Sequence, residues 1–299
     1  MKRTHLAVSI FVLLFSAVFI SYLYFQHFQE KRIISISTNP WVGYTPFMYA
    51  QEMGWLEETP FRFLWLVDLS DNSKLYKRGF TKGFTATQYE LLHFENFQKI
   101  KPIFLIDRSD GADVVVSNRT IDELRGLEEE VDLYMEMGSL HDDFFKAFVK
   151  EHELQNTRFR IVDASQKQIS ILQKSAKPTV ILTYHPYFHS LLKLGYKEIA
   201  STKTIKDFYV IDGCYVDEEV IKTHKDDFVE LKAIFIRALL ALKADPKAYY
   251  LKIKSYLEDQ SYEDFLRSID EIEWIYNNPS NDVLEYLKRQ NINIDEIIR

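Results

Sequence analysis

The sequence predicts an α/β protein of two lobes with an apolar helix in front of them. Strand-like apolar runs alternate with helix-like segments from residue 33 to residue 213, which indicates parallel sheets with crossover helices. Polar turns at 108–111 and 201–205 are candidates for the two crossings between lobes. From Asp217 onward the pattern is helical. The predicted parts are 1–32 as the N-terminal segment, 33–110 with 205–299 as the first lobe, and 111–204 as the second lobe.

The composition is that of a globular protein with an acidic surface. The chain has 299 residues, of which 46% are hydrophobic and 27% charged, enough for two lobes of ordinary size. Beyond residue 32, 33 basic residues stand against 43 acidic ones, which disfavours nucleic acid as a partner. A single cysteine, Cys214, excludes an internal disulfide and a thiolate metal cluster. The 15% aromatic residues favour surfaces that stack on ligands.

The N-terminal segment is predicted to enter a membrane. Residues 6–25 carry no charge, and as a helix they would span about 30 Å, the thickness of a bilayer core. Lys2 and Arg3 precede them, so the N-terminus should stay in the cytoplasm and the rest of the chain be exported. Their length and the lack of an A-x-A-like cleavage site favour an uncleaved anchor over a removed signal peptide. The lobes should then lie in the periplasm or on the extracytoplasmic face of the cell membrane.

The first lobe begins with a strand at 33–38 and a helix at 46–55, with Thr45 as N-cap and Pro46 at the first helical position. Apolar runs and capping residues then predict strands at 61–67, 80–86 and 102–107, and helices at 72–79 and 87–97.

The second lobe repeats the alternation after the turn at 108–111. Its predicted strands are 112–117, 131–136, 159–163 and 179–183, and its helices are 120–125, 140–153, 165–174 and 186–194. One more strand is expected within 204–213. Helices at 224–243, 246–258, 261–268 and 280–290 complete the chain, and their apolar spacing indicates packing against a core.

Several short motifs resemble one family in their order and spacing. They are Trp41–Pro46 followed by Ala50, Glu52 and Gly54; Gly111–Asp113; Thr120–Gly126; Gly138–Ser139; Tyr184–Tyr187; Ala244–Pro246; and Ser261–Phe265. Together they resemble ABC-transporter solute-binding proteins of the nitrate/sulfonate/taurine and thiamine-pyrimidine group, the SsuA-like family. The resemblance implies a two-lobed periplasmic-binding-protein (type II) fold, here with an N-terminal transmembrane or signal helix. His185 stands where the family usually has Glu, so the family's ligand is not carried over.

In such a fold the loops at the carboxyl ends of the strands face one cleft, which makes their side chains the candidate ligand-binding residues. Trp41 and Tyr44 follow the first strand and either stack on a flat ligand or cover the hinge. Thr85 and Thr87 precede a helix, where they either help to hold a polar ligand group or only cap the helix.

The second lobe and the second crossing supply the other candidates. Gly138 and Ser139 open the helix at 140–153, whose first N–H groups favour an anion, although Asp142 and Asp143 compete for the same position. Tyr184, His185 and Tyr187 follow the strand at 179–183 as stacking or hydrogen-bonding groups. A metal site at His185 and His189 is not expected, because no acidic third ligand stands beside them. Asp212 either pairs with a cationic or amino-bearing ligand or bonds to backbone at the hinge.

These features predict a binding protein without a cofactor or metal that closes two lobes on a small molecule. The expected partner is an ABC permease or a membrane sensor protein. A pyrimidine-like or amine-bearing ligand is favoured over a sulfonate or nitrate, because the aromatic loops and Asp212 outweigh a single anion-binding helix start. The alternative is an enzyme of the thiamine-pyrimidine-precursor branch acting on a bound ring, with Cys214 and His185 as its candidate reactive groups. No common catalytic motif supports it.

Overall fold

A computed structural model of the chain describes residues 15–16, 18–21, 33–66, 69–257, 260–294 and 297–298. The predicted anchor at 6–25 falls mostly outside this part of the chain, and the few of its residues that are described are helical. Within the described residues no helix is both long and apolar enough to cross a membrane. The anchor therefore stays a prediction.

The first half of the chain supplies strands of both sheets. In order it forms β1 (Ile34–Thr38), a 3₁₀ helix (Val42–Tyr44), α1 (Thr45–Glu52), β2 (Phe61–Trp65), α2 (Leu69–Lys77), β3 (Gly83–Thr87), α3 (Gln88–Leu92), a second 3₁₀ helix (Phe97–Lys99), β4 (Ile100–Ser109), β5 (Asp113–Ser117), α4 (Ile121–Gly126), β6 (Val131–Met135) and α5 (His141–Glu151).

The second half completes both sheets and adds the C-terminal helices. It forms β7 (Phe159–Asp163), α6 (Gln166–Ile169), β8 (Thr179–Tyr184), α7 (Phe188–Lys193), β9 (Lys197–Ser201), β10 (Ile211–Asp217), α8 (Glu218–Ala244), α9 (Pro246–Ile253), a third 3₁₀ helix (Lys254–Tyr256), α10 (Tyr262–Asp270), β11 (Ile272–Trp274) and α11 (Asn281–Arg289).

The strands form two sheets, and we call the part of the chain around each sheet a lobe. The first sheet has six strands in the order β11-β4-β10-β3-β1-β2, and the second has five in the order β7-β6-β8-β5-β9. The prediction of parallel sheets is wrong for part of each sheet. β10 runs antiparallel to β3 and β4, and β5 runs antiparallel to β8 and β9. Both strands enter directly from the other lobe, without the crossover helix that parallel neighbours require.

Several predicted elements differ from the structure in length or position. The strand expected within 204–213 is β10, which begins at Ile211 and continues to Asp217. The helices expected at 87–97 and 165–174 are the short α3 and α6. β9 and β11 were not predicted, because the first is largely exposed with a mixed sequence and the second has three residues.

Separate hydrophobic clusters stabilise the lobes. In the first lobe, Phe235 of α8 packs against Phe47 of α1 and Phe104 of β4, with ring centroids 5.1 and 5.4 Å apart. In the second, Phe144 and Phe148 of α5 pack with apolar residues of β5, β6 and β8. Ile205 and Val210, on the segment that returns to the first lobe, belong to this second cluster.

Most helix starts are fixed by a side chain that accepts a hydrogen bond from a first-turn N–H. α5 differs, because its N-cap residue is Leu140, which has no side-chain acceptor. The N–H groups of His141, Asp142 and Asp143 bond to Ser139 and Leu140 of the same segment, whereas the Leu140 N–H bonds to a residue of the other lobe. The side-chain N-caps are Thr87, Thr120, Ser165, Asp217, Asp245, Ser261 and Ser280.

The two segments that connect the lobes are bonded to each other. Ser109 and Thr202 share a hydrogen bond of 2.8 Å between their hydroxyl groups, and the Gly111 N–H donates to the Thr202 hydroxyl oxygen at 3.0 Å. Gly111 has a φ of 121°, which favours glycine at this turn. These contacts hold the ends of β4 and β5 together, where the candidate site begins.

Candidate ligand-binding site between the lobes

A small cavity lies where the strand ends of the two lobes meet. The volume within it that the centre of a water molecule can occupy is about 10 Å³, which is enough for about one water molecule. Both lobes supply its walls, so the lobes are closed around it. The lining residues are Asn39, Trp41, Thr87, Asp113, Leu140, Tyr184, Val210 and Asp212.

Aromatic rings from both lobes form one side of the cavity. Trp41 of the first lobe meets Tyr184 of the second edge to face, with ring centroids 5.8 Å apart. Tyr187 lies behind Tyr184, at a centroid distance of 5.6 Å. Tyr44 is fully buried behind the opposite wall and donates its hydroxyl proton to Oδ1 of Asp212. The structure thus brings Trp41 and Tyr184 into contact and places the other two tyrosines in support of the site.

Four buried carboxylates lie at or beside the cavity. Asp113 and Asp212 line it, Asp107 is bonded to the lining residue Trp41, and Glu90 is bonded to the lining residue Leu140. In the described part of the chain, none of them forms an ion pair with a lysine or arginine, and Oδ2 of each aspartate has no hydrogen-bond partner. Burial raises the pKa of all four groups, and that of Asp113 to about 7. The negative charge of Asp107 raises the pKa of Asp212 further. The site is therefore acidic and without a counterion of its own.

Strand pairing explains why these carboxylates converge. Asp212 in β10 lies opposite Thr87 at the end of β3, and Asp113 at the start of β5 lies opposite Tyr184 at the end of β8. Asp107, near the end of β4, accepts a hydrogen bond from Nε1 of Trp41 at 3.3 Å. Gly43 permits this approach, since a Cβ at that position would lie 1.8 Å from Oδ2 of Asp107.

The helix start after Gly138 and Ser139, predicted as an alternative anion site, is already bonded within the protein. The Leu140 N–H donates to Oε1 of Glu90 at 2.6 Å, and the Gly138 N–H donates to Asp142 at 2.9 Å. The Ser139 hydroxyl donates to the carbonyl oxygen of Glu136 at 2.7 Å. A carboxylate of the first lobe thus occupies the position where a bound anion would lie.

Six of the ten predicted site residues do not line the cavity: Tyr44, Thr85, Gly138, Ser139, His185 and Tyr187. The Thr85 hydroxyl bonds to that of Thr38 at 2.7 Å within the sheet. His185, which precedes a cis proline peptide bond, is fully buried, and its Nε2 lies 2.8 Å from Oε2 of Glu271. Its Nδ1 lies 3.2 Å from the Ser268 hydroxyl, so His185 connects the second lobe to α10 and its end in the first.

Two further observations concern metals and nucleophiles. Among the described residues, no group of three or more His, Cys, Asp or Glu side chains is arranged to hold a metal ion. Cys214 is fully buried in the core of the first lobe, and this burial raises the pKa of its thiol. The side chain that the enzymatic alternative would use as a nucleophile is therefore packed as a small apolar residue.

Comparison with known proteins places this geometry in a fold. Neither a known protein family nor a curated protein sequence matches the chain. Solved structures do match it. One is the ligand-binding component of an ABC-type import system from Staphylococcus aureus with zinc bound, at 13% identity and a TM-score of 0.69, covering 89% of this chain and 96% of that one.

Two further structures have the same architecture. The periplasmic aliphatic sulphonate binding protein SsuA from Escherichia coli matches at 10% identity and a TM-score of 0.67, over 87% of this chain and 90% of that one. The chain has the periplasmic-binding-protein fold. The desulfurization enzyme DszB matches at 10% identity and a TM-score of 0.61, over 86% and 90% of the two chains, so the fold alone does not decide between binding and catalysis.

The periplasmic-binding-protein fold confirms the two-lobed α/β architecture that the motifs imply. Neighbours with this fold are described as solute-binding proteins of the periplasm or of import systems. Their likeness at this level of identity supports the fold and leaves the ligand to be argued from the cavity itself.

The raised pKa of Asp113 predicts a pH-dependent stability. Its value is about 7 in the folded protein, against about 3.9 in an unfolded chain, so the folded state binds more protons between these values. The stabilising contribution is complete below about pH 4 and is lost as the pH rises through 7, by at most about 1.4 kcal/mol per pH unit. We expect urea unfolding to show wild type losing stability relative to Asp113→Asn between pH 5 and pH 8.

The comparison with the variant is needed because His141 acts in the opposite direction. Burial lowers the pKa of His141 to about 3, so its contribution is lost as the pH falls below about 6.5. That contribution is common to wild type and Asp113→Asn and cancels in their difference. A difference in unfolding free energy that stays constant from pH 5 to pH 8 would contradict the assignment.

Proposed function

We propose that this chain is an extracytoplasmic solute-binding protein that closes its two lobes on a small cationic or amine-bearing molecule. The observation that carries the proposal is the group of three buried aspartates, Asp107, Asp113 and Asp212, which have no lysine or arginine partner in the described chain and whose Oδ2 atoms have no hydrogen-bond partner. A buried carboxylate is costly unless it is paired or hydrogen-bonded. A bound ammonium or amino group would supply both the counter-charge and the N–H donors.

The aromatic side of the cavity supports the same ligand class. A cation close to the face of an aromatic ring contributes roughly 2 kcal/mol when it is desolvated, and stacking of a flat ring contributes roughly 0.5–1.5 kcal/mol. Trp41 and Tyr184 are placed to contact the ligand beside Asp113 and Asp212. The chemistry of these rings and carboxylates suits an alkylamine or an amino-substituted pyrimidine, and the lobes have to separate further to admit either, since the cavity has room for about one water molecule.

A sulfonate or nitrate fits less well. The helix start that would bind it holds the carboxylate of Glu90 instead, and four carboxylates lie at or beside the cavity. An anion entering this site would be repelled by each ionised carboxylate.

The partner is proposed to be an ABC permease or a membrane sensor protein that recognises the closed form. A ligand that bridges the two lobes shifts the population toward the closed form, which presents a surface that the open form lacks. The apolar segment 6–25 would tether the protein beside such a partner. Retention in the membrane fraction after a high-salt wash tests the tether, and release of the protein would contradict it.

Calorimetric titration tests the ligand class. The probes are primary amines such as ethanolamine and 2-phenylethylamine, an aminopyrimidine, the zwitterion taurine, and the anions methanesulfonate and nitrate. We expect an amine or aminopyrimidine to bind and to raise the melting temperature, since binding to the folded state stabilises it. Binding of methanesulfonate or nitrate in preference to every amine would overturn the proposal.

A further inference from the structure

Two carboxylates cross between the lobes and bind the start of a helix in the opposite lobe. Glu90, in α3 of the first lobe, accepts a hydrogen bond from the Leu140 N–H at the start of α5. Glu136, after β6 of the second lobe, accepts one from the Ser70 N–H in the first turn of α2 at 3.1 Å. Both glutamates are buried. The arrangement is reciprocal, since each lobe supplies one glutamate and has one helix start that is bonded to a glutamate of the other lobe.

Helix starts of this kind are where proteins bind the acidic groups of ligands. The first N–H groups of a helix have no partner within the helix, and the helix dipole adds positive potential there. α5 has 11 residues and α2 has 9, so each is long enough to have this property. In this chain both positions are taken by buried glutamates that belong to the protein.

We propose that Glu90 determines specificity by restricting the ligand to amines that carry no acidic group. This proposal rests on the proposed function, because it concerns the same cavity. An amino acid would present its ammonium group to Asp113 and Asp212 as an amine does. Its carboxylate would then need a counter-charge close by, and no lysine or arginine is among the residues that line the described cavity. A charged group left buried without a partner weakens binding strongly.

Leu140 connects the bonded helix start to the cavity. Leu140 lines the cavity, and its backbone N–H is bonded to Glu90. Without Glu90, this N–H at the cavity wall would be free to donate to a ligand carboxylate. With Val210 on the same lining, Leu140 instead offers apolar contact to the carbon atoms of an amine.

The test compares molecules that differ only by a carboxylate. Calorimetric titrations of the full chain would use ethanolamine against serine, 2-phenylethylamine against phenylalanine, putrescine against ornithine, and agmatine against arginine. We expect the amine of at least one pair to bind at least a hundredfold more tightly than its amino acid. Equal or tighter binding of the amino acid in every pair that binds would overturn this proposal and leave the proposed cation site standing. Binding of neither member in any pair would overturn both.

Variants of Glu90 test the residue itself. Glu90→Ala frees the Leu140 N–H to bind the carboxylate of an amino acid. The ratio of the Kd of the amino acid to the Kd of its amine should therefore fall at least tenfold. Glu90→Gln keeps an oxygen that can accept this bond and should narrow the preference less. Glu95→Ala, at an exposed position nearby, is the matched control and should leave the preference unchanged.

Glu90 also closes the capping box of Thr87, so loss of folding has to be distinguished from loss of specificity. Retained binding of the amine shows that a variant is folded. If Glu90→Ala does not fold, the proposal is still tested by Glu90→Gln and by titrating the wild-type protein with the pairs of amine and amino acid. An unchanged preference in a folded Glu90→Ala protein would overturn the role of Glu90.

Discussion

Replacement of Asp212 by asparagine should weaken amine binding at least about thirtyfold and, at the same time, stabilise the ligand-free protein. The variant keeps an oxygen that can accept the hydrogen bond from Tyr44 but removes the charge that faces the ligand. Loss of one partner of a buried charge pair typically costs about 2–5 kcal/mol, which corresponds to a change in Kd of about thirtyfold or more. Isothermal titration with the tightest-binding amine measures this loss.

The gain in stability has a separate cause. Burial and the charge of Asp107 raise the pKa of Asp212, which means that the ionised form is disfavoured in the folded protein. A neutral amide removes that penalty, so urea unfolding near pH 7.5 should give an increase on the order of 1 kcal/mol. Asp226→Asn, at an exposed position of α8, is the control and should change neither quantity. An Asp212→Asn protein that binds the amine as wild type does would contradict the proposed site.

Replacement of Gly43 by alanine should destabilise the protein by about 3 kcal/mol and abolish amine binding. The new Cβ would lie 1.8 Å from Oδ2 of Asp107 and 2.7 Å from Nε1 of Trp41. Both side chains are buried, so neither can move without breaking the bond between them or disturbing the cavity. Overpacking of this kind typically costs about 1–3 kcal/mol, and more where the surroundings cannot shift.

Urea unfolding and titration with the same amine measure the two effects of Gly43→Ala. Gly126→Ala is the matched control, because a Cβ at Gly126 meets no atom within 4 Å, and its effect should stay within about 0.5 kcal/mol. If both variants were equally stable, the close approach of Gly43 to Asp107 would not be needed for folding.

The sequence predicts part of the site because strand ends can be recognised. Trp41, Tyr184 and Asp212 follow or end apolar runs, and the structure places all three on the cavity. Asp107 and Asp113 also stand at the ends of strands in the sequence, but they flank the polar turn that predicts a crossing between lobes. No pattern in the sequence distinguishes them as site residues, whereas strand pairing buries both.

Glu90 could not have been predicted from any local pattern. It lies within the helix predicted at 87–97, where it forms a capping bond with Thr87. Its second role requires Leu140, which is 50 residues away and in the other lobe. His185 is the opposite case. Its motif next to Tyr184 predicts a place in the cleft, but its ring lies beside Glu271 instead.

The position of β10 in the first sheet bears on the order in which the chain assembles as it is synthesised and exported. In the described sheet, β4 is bonded to β10 and β11 and does not touch β3, so a chain made up to residue 210 has no neighbour for β4. By then every strand of the second sheet has been made, because that sheet ends at Ser201. The second lobe can therefore fold before β10, which lies between β4 and β3 in the first sheet, has been made. Asp212 arrives with that strand, so it joins Asp113 at the pocket only after every strand of the second sheet has been made.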